Sequence, residues 1–214
     1  MSYFVLLIEL CGTVAFAVSG AMLGVRKEMD VFGVCIMGVT ASCAGGILRD
    51  LLLGQLPPSI FSHPIYAETA IAVSLLVFIP KVRRALLYRH GYETAMLVAD
   101  AAGLGLFTAV GVAAAFDCGY GDSSFFAVFL GVITGVGGGV LRDVLAGTAP
   151  YIFVKHIYAC ASIAGALLCA LLWPLMGQTA AMAVCTVAVL LIRLLAAHFR
   201  WSLPKAHMEE AVCK

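Results

Sequence analysis

The stretch CAGGILRDLLLGQLP at residues 43–57 returns, 93 positions later, as VGGGVLRDVLAGTAP at residues 136–150. Eight of these fifteen positions are identical: Gly45/Gly138, Gly46/Gly139, Leu48/Leu141, Arg49/Arg142, Asp50/Asp143, Leu52/Leu145, Gly54/Gly147 and Pro57/Pro150. His63 and His156 extend the match downstream. Upstream, Glu9 aligns with Asp100 and Phe16 with Phe107 at an offset of 91, so the register changes by two in a loop, where insertions are tolerated. Shared Arg, Asp and Pro are not what apolar composition produces by itself. The chain contains a duplication.

Both copies lie in apolar surroundings. Of the 214 residues 63% are hydrophobic and 12% charged, and the mean hydropathy is +1.04. A soluble domain is about a quarter charged, and a chain this poor in charge cannot build the polar shell such a domain needs. A bilayer span takes about 20 apolar residues, and seven stretches qualify, at roughly 4–24, 31–53, 65–80, 94–115, 124–146, 157–174 and 178–199. The expected fold is all-α and integral to the membrane. The first repeat covers residues 1–90, the second 91–176, a seventh helix 177–200, and a cytoplasmic tail 201–214. Because each repeat contributes three spans, the second copy crosses the membrane inverted, an arrangement that puts substrate or ion sites near the midplane between the halves.

Loop charge sets the orientation, since Lys and Arg are retained on the cytoplasmic side. Arg26 and Lys27 follow span 1; Lys81, Arg83, Arg84 and Arg89 follow span 3; Lys155 follows span 5; Arg200 and Lys205 follow span 7. Loops 54–64, 116–123 and 175–177 carry neither Lys nor Arg. This places the N-terminus outside and the C-terminus in the cytoplasm. MSYFVLLIEL has no basic residue ahead of its apolar run, so it reads as a retained first span rather than a signal peptide. The net charge of +1 gives no footing for nucleic acid. The eight cysteines are scattered without a CxxC and read as small apolar packing residues.

Consecutive glycines weaken a helix by about 1 kcal/mol each relative to Ala. Gly45-Gly46 and Gly137-Gly138-Gly139 can therefore kink or unwind spans 2 and 5, freeing carbonyls that line a watered cavity and hold potassium or sodium transiently. The competing role is close packing, as for Gly20-xxx-Gly24 and Gly131-xxx-Gly135. Thr40, Ser42 and Thr134 stand near the glycines and can line a passage or bond the backbone four residues back. Arg49, Asp50, Arg142 and Asp143 are intramembrane charges, which face the bundle interior and take partners. Neighbours on a helix diverge by about 100°, so Arg49 and Asp50 are expected to serve different partners. Depth in the membrane pairs Glu9 with Arg49 and Asp100 with Arg142, with Asp50 and Asp143 as rival partners. His63 and His156 read as interfacial packing residues.

Enzymatic readings fare poorly. Ser19-Gly20-xxx-Gly24 resembles the SGxxxG of rhomboid proteases, but Ala17 stands where they have Gly and only His198 is offered as a base. HExxH, GxGxxG and P-loop patterns do not occur, so neither catalysis nor a cofactor is expected. The doubled GG-x-x-RD-x-L-x-G in a three-plus-three-plus-one chain resembles the trimeric intracellular cation (TRIC) channels, in particular their prokaryotic branch, whose members also carry the label glycine transporter. That resemblance, over about residues 5–200, implies a homotrimer in a plasma or inner membrane, in contact with lipid. It implies a pore in each protomer lined by spans 1, 2, 4 and 5, glycine-kinked spans 2 and 5, and conduction of potassium and other monovalent cations. Gly45, Gly46, Arg49 and Asp50 take the first motif and Gly138, Gly139, Arg142 and Asp143 the second. KEGN, the lipid-associated motif of the animal channels, is absent, since Arg26-Lys27-Glu28-Met29 lacks its Gly-Asn. The alternative function is a secondary transporter for glycine or a similar small zwitterion.

Overall fold

The computed structural model describes residues 3–154 and 157–201, with side chains for all of these except 85–90 and 154. Lys155, His156, Lys205 and the tail beyond Trp201 thus lie outside the described residues. Among the described residues eight helices follow one another: α1 (Tyr3–Arg26), α2 (Val31–Leu52), α3 (Ser59–Ser62), α4 (Ile65–Phe78), α5 (Pro80–Asp117), α6 (Ser124–Leu145), α7 (Tyr151–Val154) and α8 (Ala159–His198). Five segments are long and apolar enough to cross a membrane: α1, α2, Gly91–Asp117 of α5, α6 and α8; α4 is a shorter apolar helix. A straight 40-residue helix would measure about 60 Å, twice a hydrocarbon core. Backbone angles of φ 74° and ψ 173° at Gly177 interrupt α8, and Gly91, at φ 71° and ψ 161°, interrupts α5 in the same way.

Local chemistry explains the helix ends. Asp30 caps α2 by accepting from the Gly33 amide at 2.7 Å, and Ser123 caps α6 by accepting from Phe126 at 3.3 Å. At the other ends, Gly54 (φ 70°) and Gly147 (φ 63°) take the left-handed conformation that only glycine adopts freely. The chain then turns back on the helix. Gln55 N–H donates to the Asp50 carbonyl at 2.8 Å and Thr148 N–H to the Asp143 carbonyl at 3.0 Å, as in a Schellman cap. The last glycine of the repeated motif is therefore a helix stop.

The glycines expected to kink or unwind spans 2 and 5 do not unwind them; α2 and α6 continue through these glycines without non-helical residues. They make the helices cross at very short range. A Cβ on Gly45 would collide with the Thr134 carbonyl, and one on Gly138 with the Ala41 carbonyl. The two contacts exchange under the 93-residue offset, which carries Gly45 to Gly138 and Ala41 to Thr134, so the two helices present equivalent surfaces to one another. A Cβ on Gly137 would lie 2.8 Å from Leu48. The same reciprocity holds where α1 meets α5: a Cβ on Gly12 would lie 3.1 Å from Phe107, and one on Gly103 would lie 2.6 Å from Phe16. The Phe16 and Phe107 rings stack at 5.5 Å with 12° between planes.

Leu7, Val14, Leu167, Leu171, Val187 and Leu191 are exposed. Glu9, Arg49, Asp50, Asp100, Arg142 and Asp143 are buried. Apolar outside and charged inside is the distribution expected of a protein whose solvent is lipid. The seven described cysteines are free, and Cys43, Cys169 and Cys185 are buried among apolar neighbours.

Candidate functional site

Two charge clusters lie at opposite ends of the α2–α6 crossing. In the first, near the start of α1, the Arg49 guanidinium donates to Glu9 Oε1 at 2.8 Å and to Asp50 Oδ1 at 2.8 Å. Its remaining nitrogen donates to Ser59 Oγ at 3.3 Å. The Tyr66 hydroxyl donates to the second Glu9 oxygen, so both carboxylate oxygens are used. In the second cluster Arg142 donates to Asp100 Oδ1 at 2.7 Å, to Asp143 Oδ1 at 2.9 Å and to the Ser19 hydroxyl.

Depth matching thus identified both long-range partners. The expectation that Arg49 and Asp50 serve different partners fails, and Arg142 with Asp143 departs from it too. A long guanidinium side chain folds back across the 100° separation while its far end reaches the other helix. Each aspartate also uses its second oxygen on the chain that follows. Asp50 Oδ2 accepts from the Ser59 amide at 2.7 Å and its hydroxyl at 2.6 Å, at the start of α3. Asp143 Oδ2 accepts from the Tyr151 amide at 2.9 Å, at the start of α7. The Arg-Asp pair ties one long helix, its acidic neighbour and the next short helix into one unit.

The clusters differ in exposure. A cavity of about 250 Å³ reaches the first, with Glu9, Arg49, Ser59, His63, Tyr66 and Asp117 on its walls. A smaller pocket of about 30 Å³ continues from Glu9 and Arg49 past Thr13, Ser42 and Gly46 to Phe107. Asp100 and Arg142 are 0% exposed. On their side a cavity of about 320 Å³ ends against Asp143, Thr148 and Tyr151, with Arg26, Lys27 and Glu93 at its rim. Glu9 and Arg49 thus line cavities at the first cluster, whereas at the second Asp143 lines one and Asp100 and Arg142 line none of these.

The remaining candidates have plainer roles. Ser42 donates to the Gly38 carbonyl at 2.8 Å while lining the small pocket, and Thr134 donates to the Leu130 carbonyl at 2.6 Å beneath the helix crossing. Thr40 is half-buried on α2. Gly46 leaves open space, since the only atom within 4 Å of a Cβ there is an Arg49 nitrogen at 4.0 Å. Gly139 makes room for the Tyr158 hydroxyl beside Arg142 and Asp100. His63 is exposed just after α3. Glu93, given no role from sequence, pairs with Arg26 at 3.0 Å, while Arg26 lies 5.0 Å over the Tyr92 ring. Sequence reading missed Tyr66 and Tyr158, although they lie 92 positions apart; one bonds the carboxylate of the first cluster and the other stands beside that of the second. Among the described residues no group of three or more His, Cys, Asp or Glu converges as a metal site.

Apolar helices enclosing paired buried charges define a membrane protein with several transmembrane helices. A sequence profile of the family described as Glycine transporter matches residues 6–81 and 97–174. The inner membrane protein YadS of Escherichia coli K12, of the UPF0126 group, is 38% identical over 208 residues, covering 95% of this chain and 96% of YadS. A prokaryotic TRIC channel solved in 0.5 M KCl is 31% identical with a TM-score of 0.86, over 95% of this chain and 100% of that one. The TRIC orthologue of Rhodobacter sphaeroides is 31% identical with a TM-score of 0.82, over 93% of this chain and 100% of that one. The chain belongs to the Glycine transporter, or TRIC, family, as a prokaryotic member.

Proposed function

We propose that this protein is a homotrimeric channel for monovalent cations, chiefly potassium, with one path through each protomer. The observation that carries the reading is the near-complete structural overlay with prokaryotic TRIC channels at identities above 30%. Seven crossings follow if α8 is counted as two spans about Gly177 and α4 as one. The two three-span repeats are then inverted, a reading supported by the reciprocal contacts that exchange under the offsets of 91 and 93. The repeats cover residues 1–90 and 91–176, with 177–200 as the seventh helix and 201–214 as the tail.

The N-terminus lies outside and the protein resides in the inner membrane. The first cluster is then the outer one and the second the inner one. The path runs between α1, α2, the Gly91–Asp117 part of α5 and α6. Glu9, Arg49 and Asp50 brace it near the outer mouth, and Asp100, Arg142 and Asp143 near the inner. A guanidinium already satisfied by two carboxylates repels passing cations less than a bare one would, while each cluster keeps one carboxylate in excess. Weak, repeated attraction of this kind suits conduction, which needs ions to enter and also to leave. Gly45, Gly137 and Gly138 set the helix spacing, Gly46 and Gly139 leave room beside the guanidinia, and Ser42 contributes to the outer pocket wall. Thr40 and Thr134 hold the crossing.

Purified protein in potassium-loaded liposomes tests this. Efflux of potassium down its gradient, balanced by valinomycin-free thallium entry, is the expected result. Saturable uptake of radiolabelled glycine without cation flux would instead make the protein a transporter for small zwitterions.

A further inference from the structure

The two clusters are built from equivalent residues but do not stand in equal electrostatic surroundings. Glu9, Asp50 and Arg49 sum to −1 at the outer end. Asp100, Asp143 and Arg142 sum to −1 as well, but a second guanidinium stands next to them. Arg193, on the second half of α8, is 2% exposed and lies 4.7 Å over the ring of Tyr158. The Tyr158 hydroxyl lies 3.0 Å from where a Cβ on Gly139 would sit, and Arg142 and Asp100 each lie 3.9 Å from that point. One aromatic ring therefore separates Arg193 from the Arg142–Asp100 pair. The Tyr151 ring, edge-on to Tyr158 with centroids 6.5 Å apart, receives Arg142 on its face at 5.3 Å. The two tyrosines hold two guanidinia within one buried group.

We infer that Arg193, on the helix with no counterpart in the duplicated halves, cancels the excess charge of the inner cluster and makes the two ends of the cation path electrostatically unequal. The cavities agree. The walls of the outer one carry Glu9, Asp117 and a single cation, Arg49. Those beside the inner cluster carry Arg26, Lys27, Arg193 and Arg200 against Glu93 and Asp143. Cations gather at the negative outer mouth and are thinned at the inner one, so current should pass more readily from outside to inside than in reverse. Arg193 is a positioning charge that acts through the local potential without touching the ion.

This inference rests on the channel reading, and the test separates the two. Single-channel currents are recorded in symmetrical 0.1 M KCl for the wild type and for Arg193→Lys and Arg193→Gln, with trimer elution as the folding control. In a water-like medium a unit charge about 8 Å from an ion changes the local ion concentration by about twofold. The expected result is a wild type that rectifies, an Arg193→Gln whose rectification ratio falls by about twofold, and an Arg193→Lys that retains it. The difference should vanish in 1 M KCl, where the screening length falls to about 3 Å. Should Arg193→Gln elute as a monomer, Arg193→Met, which removes the charge and keeps an unbranched apolar side chain in the buried site, takes its place and should lower the rectification ratio by the same factor of about two. Equal rectification in all folded variants at 0.1 M KCl would overturn the role of Arg193 and leave the channel intact. Absence of unitary currents in the wild type would overturn the channel reading itself.

Discussion

At the residue scale the two arginines are the points where removal should cost most. A buried charge deprived of its partner costs about 3–5 kcal/mol, because its desolvation is no longer offset. Arg142→Ala leaves Asp100 uncompensated at 0% exposure, with only its neighbour Asp143 bordering a cavity, whereas Arg49→Ala leaves Glu9 on the wall of a cavity of about 250 Å³. Thermal unfolding in detergent should therefore show a loss of about 3–5 kcal/mol for Arg142→Ala and a smaller loss for Arg49→Ala. Equal losses would mean that the cavity does not relieve the outer charges. The pairing itself is tested by a double-mutant cycle on Asp100→Asn and Arg142→Gln, in which the double variant should be less damaged than the sum of the singles by at least 0.5 kcal/mol. Additivity would contradict direct coupling.

At the scale of elements, the repeated motif separates into parts with different physical duties. Gly45 and Gly138 permit a helix crossing, Gly54 and Gly147 stop the helices, and Asp50 and Asp143 start the next ones. Gly138→Ala should thus weaken assembly, because its Cβ meets a backbone carbonyl that cannot move aside. Gly46→Ala should be tolerated, since only an Arg49 nitrogen at 4.0 Å comes near. Trimer recovery after gel filtration compares the two directly; if Gly46→Ala proves the more harmful, α2 bends there in the working protein. Gly54→Ala places a side chain in the left-handed region and should cost about 1 kcal/mol in thermal stability.

The duplication, the presence of several apolar membrane-spanning helices and the long-range acidic partners of both arginines were legible in the sequence, because identity at a fixed offset and depth along a helix are one-dimensional quantities. What the glycines do was not legible. A run of glycine weakens a helix and also lets another helix approach, and only the crossing geometry chooses between these. Tyr66, Tyr158, Ser19 and Arg193 escaped notice for a related reason. Their relevance depends on which face of each helix turns inward, and helices that are apolar all round carry little record of that face.

For the whole molecule, the proposed inversion of the second repeat would make the two mouths of the proposed path related but distinct surfaces. A cysteine placed at position 59 or 121 should react with an impermeant maleimide added outside, and one at 86 only with reagent supplied from inside. The reverse pattern would exchange the outer and inner clusters. The central claim is that buried, arginine-braced carboxylates line a path for potassium through each protomer. Recording single channels in a planar bilayer under a KCl gradient tests it most directly. Unitary steps should reverse near the potassium equilibrium potential, with Glu9→Gln moving the reversal toward zero; steps that reverse near the chloride potential, or a wild type without steps that accumulates glycine, would rule out such a path.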